Sequence, residues 1–195
     1  MERIATVTRD TSETKITVTI NLDGEGKAEI STGIGFFDHM LNAFARHGFF
    51  DLSISCKGDL NVDCHHTIED VGIVLGEAIK KALGDKKGIK RFGDSYIPMD
   101  EALILAAVDL SGRPYLGFEA EFKADKVGEY DTQMVREFFY AVSYSLACNL
   151  HIRKVAGEND HHIIEGMYKA FGRALDEATS FDPRIKDVLS TKGSL

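Results

Sequence analysis

The chain carries one five-residue pattern twice. "HHTIE" spans His65–Glu69 and "HHIIE" spans His161–Glu165. A repeat of this kind favours a fold made of two similar halves, and the segments around each copy agree with that. Before the first copy, Ile16, Val18 and Ile20 alternate with Thr17 and Thr19, a strand pattern. "DGEG" at Asp23–Gly26 reads as a turn, with Lys27–Ser31 returning as a hairpin partner. Phe36, Phe37, Met40, Leu41 and Phe44 fall at helical spacing, and Gly48 suits the position just past the helix end. "FDLSISC" alternates again. From about His65 to Leu83 the helical period returns, and Gly84 stops it.

The second half repeats the order. "EALILAAVDL" and "PYLGFEAEF" read as two strands joined by a turn at Ser111–Gly112. Asp131 or Thr132 is placed to cap a helix running to about Ala147. "NLHIRKVA" reads as a strand, and a last helix runs from about His161 to Thr179, before Pro183 and a polar tail. The expected fold is therefore α+β: an internal duplication of two similar halves, each a mostly antiparallel sheet with two helices on one face. No linker rich in Pro, Ser or Gly separates the halves. We expect a single domain built from two fused repeats, about 1–90 and about 91–182, with a C-terminal tail 183–195.

Composition narrows the function. With 195 residues, 44% hydrophobic and 28% charged, the chain can bury a sizeable core. A formal charge of −8 and the absence of a Lys/Arg run argue against a nucleic-acid partner, while local positive clusters can still hold a small anion. "MERIATVTRD" has no apolar stretch like that of a signal peptide, and no run approaches membrane-spanning length. Cys56, Cys64 and Cys148 are odd in number and lack metal-type spacing, which fits free thiols in a reducing cytosol. The expectation is a soluble cytoplasmic protein.

One His pair at a helix start is commonly an exposed polar turn. Two copies with identical Glu spacing point instead to metal. Residues four apart share a helix face, whereas the next residue is rotated by about 100°. His65 and Glu69 can thus grip one ion, and His161 and Glu165 another, while His66 and His162 face different ions. The first helix of half one carries "FFDHML" and its counterpart carries "MVREFF", which sets His39 opposite Glu137. One consistent solution has two related sites: His39, His66, His161 and Glu165 in the first, and Glu137, His162, His65 and Glu69 in the second. Imidazole and carboxylate ligands without thiolate fit Mn²⁺, Fe²⁺ or Zn²⁺, and a six-coordinate habit favours Mn²⁺. The divergent directions of adjacent histidines favour sites shared between subunits. Cys64 has no counterpart in the second copy and reads as a buried thiol; His151 reads as a core histidine rather than a support for a ligand.

In order along the chain, "RDTSETKI", "GFFDHML", "RHG", "DCHHTIED", "DLSGRP", "GENDHHIIE", "KAFGRAL" and "STKG" give it a resemblance to the imidazoleglycerol-phosphate dehydratase family, in its single-function form. The resemblance implies two fused α/β halves, two Mn²⁺ ions per active site held between subunits, and a homo-oligomer, a 24-mer built from trimers. It places metal ligands at His39, His65, His66, Glu69, His161, His162 and Glu165, and departs at Glu137, where many members carry histidine. It implies substrate phosphate contacts at Arg91, Arg113, Ser190, Thr191 and Lys192, with Lys169 and His47 as further contacts. It implies conversion of imidazoleglycerol phosphate to imidazole acetol phosphate in histidine biosynthesis, through a metal-bound imidazolate, with Glu13 in contact with substrate as the base. Two other classes fit the paired motif alone. A binuclear metal hydrolase would need no imidazole-sized cleft between two ions, and a metal-binding cage protein would not need the arginines.

Overall fold

The structure is a computed structural model that describes residues 3–193 and residue 195; positions 1 and 2 of the first expected repeat and 194 of the tail lie outside the described residues. In chain order the elements are β1 (Ile4–Asp10), β2 (Thr14–Asn21), β3 (Ala28–Ser31), α1 (Gly35–Gly48), β4 (Asp51–Gly58), α2 (His65–Leu83), β5 (Phe92–Met99), β6 (Ala102–Asp109), β7 (Tyr115–Glu119), β8 (Lys126–Val127), β9 (Tyr130–Asp131), α3 (Met134–Leu146), β10 (Asn149–Ala156) and α4 (Asp160–Thr179). The two four-stranded sheets have the orders β1-β2-β4-β3 and β5-β6-β10-β7, so the second repeats the first. Within each, two pairings are antiparallel and the last is parallel.

The strands form where one face can be buried. In β2 the alternation puts Ile16, Val18 and Ile20 inside and leaves Lys15 and Thr17 outside. The helices lie between the sheets. α2 packs on β1 and β2, α4 on β5 and β6, and across the middle α1 meets α4 while α2 meets α3. Phe44 stacks on Phe171 at 5.2 Å and Phe138 on Tyr168 at 5.0 Å, and the buried hydroxyls of Tyr130 and Tyr168 lie 3.2 Å apart. Rings of this size dominate the apolar area removed from water at the centre.

The two helix crossings are copies of one another. At Gly172 of α4 an added Cβ would lie 2.6 Å from the carbonyl oxygen of Phe44 and 3.2 Å from the Gly48 nitrogen on α1. At Gly76 of α2 it would lie 2.8 Å from the carbonyl oxygen of Val142 and 3.0 Å from the Leu146 nitrogen on α3. The offset from His65 to His161 also relates Gly76 to Gly172, and that from His39 to Glu137 relates Phe44 to Val142 and Gly48 to Leu146.

Several local expectations change. Lys27–Ser31 is no hairpin partner of β2; β3 runs parallel to β4 at the sheet edge. β6 and β7 are consecutive but unpaired, with β10 between them. Gly48 belongs to the last turn of α1, and Phe49 takes the left-handed position with φ 57°. Neither Asp131 nor Thr132 caps α3: Gln133 holds that position, and the Thr132 hydroxyl donates instead to the Ala124 carbonyl at 2.8 Å. His151 is exposed on β10, its ring beside Tyr115 at 5.4 Å and over Gly117. Cys64 is only partly buried, whereas Cys56 and Cys148 are inside, their thiols pushed up by burial to about 11 and about 12. Among the described residues no helix is long and apolar enough to cross a membrane.

Candidate metal centre

Both HHxIE copies lie in the first turn of a helix, α2 starting at His65 and α4 one residue before its pair, at Asp160. The Asn159 carboxamide oxygen accepts from the backbone N–H of His161 at 2.9 Å and of His162 at 3.3 Å, and an Asp63 carboxylate oxygen accepts from the His65 N–H at 2.7 Å. An acceptor two residues ahead of each pair thus takes one free N–H at the start of α2 and two in the first turn of α4. It also fixes where the imidazoles emerge.

The α1–α4 crossing then brings three ligand atoms together. His39 Nε2 lies 3.6 Å from Glu165 Oε2, and His161 Nε2 lies 3.2 Å from the same oxygen. The three side chains offer donors all within 4.8 Å of one another. Two donors each about 2.1 Å from an ion, at tetrahedral or octahedral angles, sit about 3.0–3.4 Å apart. The His161–Glu165 pair falls in that range and the His39–Glu165 pair lies 0.2 Å outside it, so a small side-chain adjustment would let the three share an ion. Glu165 is buried, and its other oxygen accepts from Lys169 Nζ at 2.6 Å. Burial pushes the Glu165 carboxyl up, but the Lys169 ammonium and the two imidazoles outweigh it and hold it below the usual range.

The counterpart set is less complete. His65 Nε2 lies 3.6 Å from Glu69 Oε2 along α2. Glu137, on the neighbouring α3, contacts the Arg136 guanidinium at 3.3 Å. Among the described residues only His39, His161 and Glu165 meet as a group of three.

His66 and His162 do not join these groups within the chain. His66 directs Nδ1 to Asp59 at 3.0 Å and has Glu13 Oε1 3.7 Å from Nε2. His162 directs Nδ1 to Glu101 at 2.8 Å and has Asp100 Oδ2 3.7 Å from Nε2. The Asp59 hydrogen bond raises the His66 pKa, and the Glu101 hydrogen bond raises that of His162. Glu101, held by His162 and by the backbone N–H groups of Asn159 and Glu158, falls to about 2. Asp59, Asp100 and Glu101 escape sequence reading because they sit in turns with no fixed spacing to the histidines they face.

The anion-binding candidates fall in two places. Arg91, Ser190 and Thr191 line one groove, where Arg91 is held by both oxygens of Asp109, at 2.6 and 3.0 Å, and donates to the Leu189 carbonyl at 2.8 Å. The Lys192 N–H donates to the Ser190 hydroxyl at 3.1 Å, and exposed Arg113 is near the chain end, beside Gly112. Lys169 and His47 belong instead to the α1–α4 face. Burial, then Lys169 and Arg173, lower the His47 pKa.

A family model described as imidazoleglycerol-phosphate dehydratase matches residues 32–175. The chain is 62% identical over 195 residues to the imidazoleglycerol-phosphate dehydratase of Acetivibrio thermocellus, with 100% of each chain covered. It is 60% identical over 195 residues to that of Lachnoclostridium phytofermentans, again with 100% of each covered. The crystal structure of the Staphylococcus aureus enzyme superposes with a TM-score of 0.83 at 41% identity, covering 92% of this chain and 99% of that one. The Pyrococcus furiosus enzyme in complex with (S)-C348 does so with a TM-score of 0.83 at 39% identity, covering 97% and 100%. Matched over its full length in sequence, and in both sheets and helices in structure, the chain belongs to the imidazoleglycerol-phosphate dehydratase family, hydro-lyases of histidine biosynthesis.

Proposed function

We propose that the chain removes water from imidazoleglycerol phosphate, giving imidazole acetol phosphate, in a cytoplasmic assembly whose sites hold two Mn²⁺ ions each. The observation that carries this reading is the His39–His161–Glu165 group, together with two further imidazoles, His66 and His162, that join no group of three and have Nε2 atoms 3.7 Å from Glu13 and Asp100. One ion takes His39, His161 and Glu165 with His66; the other takes Glu137, His65 and Glu69 with His162. Because His66 and His162 meet other carboxylates and not the groups they complete, neighbouring copies supply them, in line with a 24-mer built from trimers. The chain acts as one domain of two fused repeats, about 1–90 and 91–182, with the tail 183–195.

Nitrogen and oxygen donors without thiolate suit Mn²⁺. Bound there, Mn²⁺ supplies Lewis acidity and a template for the substrate's imidazole nitrogens. The chain's own groups do the rest. Glu13, exposed in the turn between β1 and β2 and 3.7 Å from His66 Nε2, is the carboxylate that takes the proton from the substrate carbon next to the departing hydroxyl. Lys169 neutralises one oxygen of Glu165 and leaves the other for the metal. Arg91, aligned by Asp109, joins Arg113, Ser190, Thr191 and Lys192 as donors to the substrate phosphate, with Lys169 and His47 as further contacts near the metals.

Glu13→Gln tests the reading. Gln keeps the shape and cannot accept the proton, so single-turnover rate should fall by roughly 10²–10⁴-fold. Substrate affinity, metal content and particle size should not change. Near wild-type turnover removes Glu13 from the mechanism, and loss of metal makes it a ligand instead. Fewer than two Mn²⁺ per chain in the loaded wild type would refute the binuclear site.

A further inference from the structure

We infer that Asp59 and Glu101 are positioning residues: each holds one imidazole, His66 or His162, with the proton on Nδ1 and Nε2 open toward a metal. This rests on the proposed role of both histidines as ligands. A carboxylate only accepts hydrogen bonds, so an imidazole nitrogen 2.8–3.0 Å from one carries the proton. The opposite nitrogen is then the one with a free lone pair. Partners of this kind orient metal-bound imidazoles and raise their basicity.

The two halves reach this arrangement by different routes. Asp59 follows β4. The residue that follows β10, the counterpart of β4, is Gly157, where an added Cβ would lie 2.9 Å from both Ala102 and Ile163. No acidic side chain fits there. Glu101 does the work from a two-residue turn between β5 and β6, in which Asp100 adopts φ 49°, a left-handed conformation that Asp tolerates better than most residues. A carboxylate on Nδ1 is thus present in both halves although duplication did not place it at one position. An accidental surface contact would not recur in this way.

The surroundings of the two acids differ, and that gives a sharp test. Both Asp59 oxygens face His66 Nδ1, at 3.0 and 3.3 Å, so Asn at 59 can still turn its oxygen to the ring. Glu101 divides its work: Oε2 faces His162, while Oε1 accepts from the N–H groups of Glu158 and Asn159 at 3.1 and 2.8 Å. Gln at 101 has one oxygen. Two backbone donors claim it, and the NH₂ is left against Nδ1, which must then give up its proton. The proton moves to Nε2, the atom the metal needs.

The full-length enzyme is stripped with chelator and reloaded, and free Mn²⁺ is followed by electron paramagnetic resonance. Wild type should take two ions per chain. Asp59→Ala and Glu101→Gln should each weaken one ion by about 10–100-fold. Asp59→Asn should bind within a few-fold of wild type, and all three stripped proteins should melt at the wild-type temperature. Two ions bound normally by Asp59→Ala and Glu101→Gln overturn the inference. So does an Asp59→Asn loss equal to that of Asp59→Ala, since charge and not orientation would then matter. Wild type that binds no pair of ions refutes the ligand assignment itself and this inference with it.

Discussion

Gly172→Ala should open the helix crossing on which the His39–His161–Glu165 group depends. The added methyl would sit 2.6 Å from the Phe44 carbonyl oxygen, where ordinary contact begins at 3.4 Å. The helices must therefore part by about 0.8 Å, the difference between those two values. The obstacle is backbone, so no rotamer change relieves it. Overpacking of this kind costs about 1–3 kcal/mol. Replacing Gly by Ala within a helix returns about 1 kcal/mol. We take the upper part of the range because the clash is with main chain, which leaves a net loss of about 1–2 kcal/mol and lowers Tm by about 2–8 °C for a chain of this size. The assay is a thermal melt of the chelated protein at fixed concentration, followed by Mn²⁺ titration of the unheated sample. Mn²⁺ affinity should drop as well, because α1 carries His39 and α4 carries its two partners. Gly35→Ala, with nothing within 4 Å, is the neutral control. A Gly172→Ala protein that melts at or above wild type with unchanged metal affinity would show that the crossing is not tight.

Other consequences concern the ions. His66→Ala and His162→Ala should each remove about one ion per chain, and anomalous scattering should locate the two losses at different positions; one position for both refutes the pairing. Complete chelation should turn the proposed 24-mer into small oligomers and Mn²⁺ should restore it, as read by light scattering. A particle of unchanged size after metal removal refutes sites shared between copies.

The helical half of the fold is the more legible in sequence. α2 begins at His65 and ends at Leu83, as its period and Gly84 require, because a helix is specified by residues close together in the chain. Sheet pairing is not local. β3 follows a turn signal that suggests an immediate return, yet its partner is β4, which the chain reaches only after α1. β1 and β5 escape reading because few of their side chains are buried. At the candidate site, the shared faces of His65 with Glu69 and His161 with Glu165 follow from helix geometry alone. Aligning "FFDHML" with "MVREFF" is enough to bring His39 into the set. Asp59 and Glu101 are invisible to the same reasoning, because the loops that carry them meet the histidines only through the folded sheets.

The partnering of α1 with α4 and of α2 with α3 has a bearing on how the two halves hold together. Neither half stacks its two helices chiefly on each other; each helix lies on its own sheet and both cross helices of the other half. A half-length polypeptide could bury these surfaces only by pairing with a twin, which would form both crossings by symmetry. The internal repeat thus packs as two like halves would pack in a symmetric dimer. The two halves differ at single positions: His39 in one corresponds to Glu137 in the other, and an acid after one strand is answered by an acid in a distant turn. A protein cut between Gly84 and Arg91 and expressed as two pieces should still reassemble, because both helix crossings join the halves without the connecting chain.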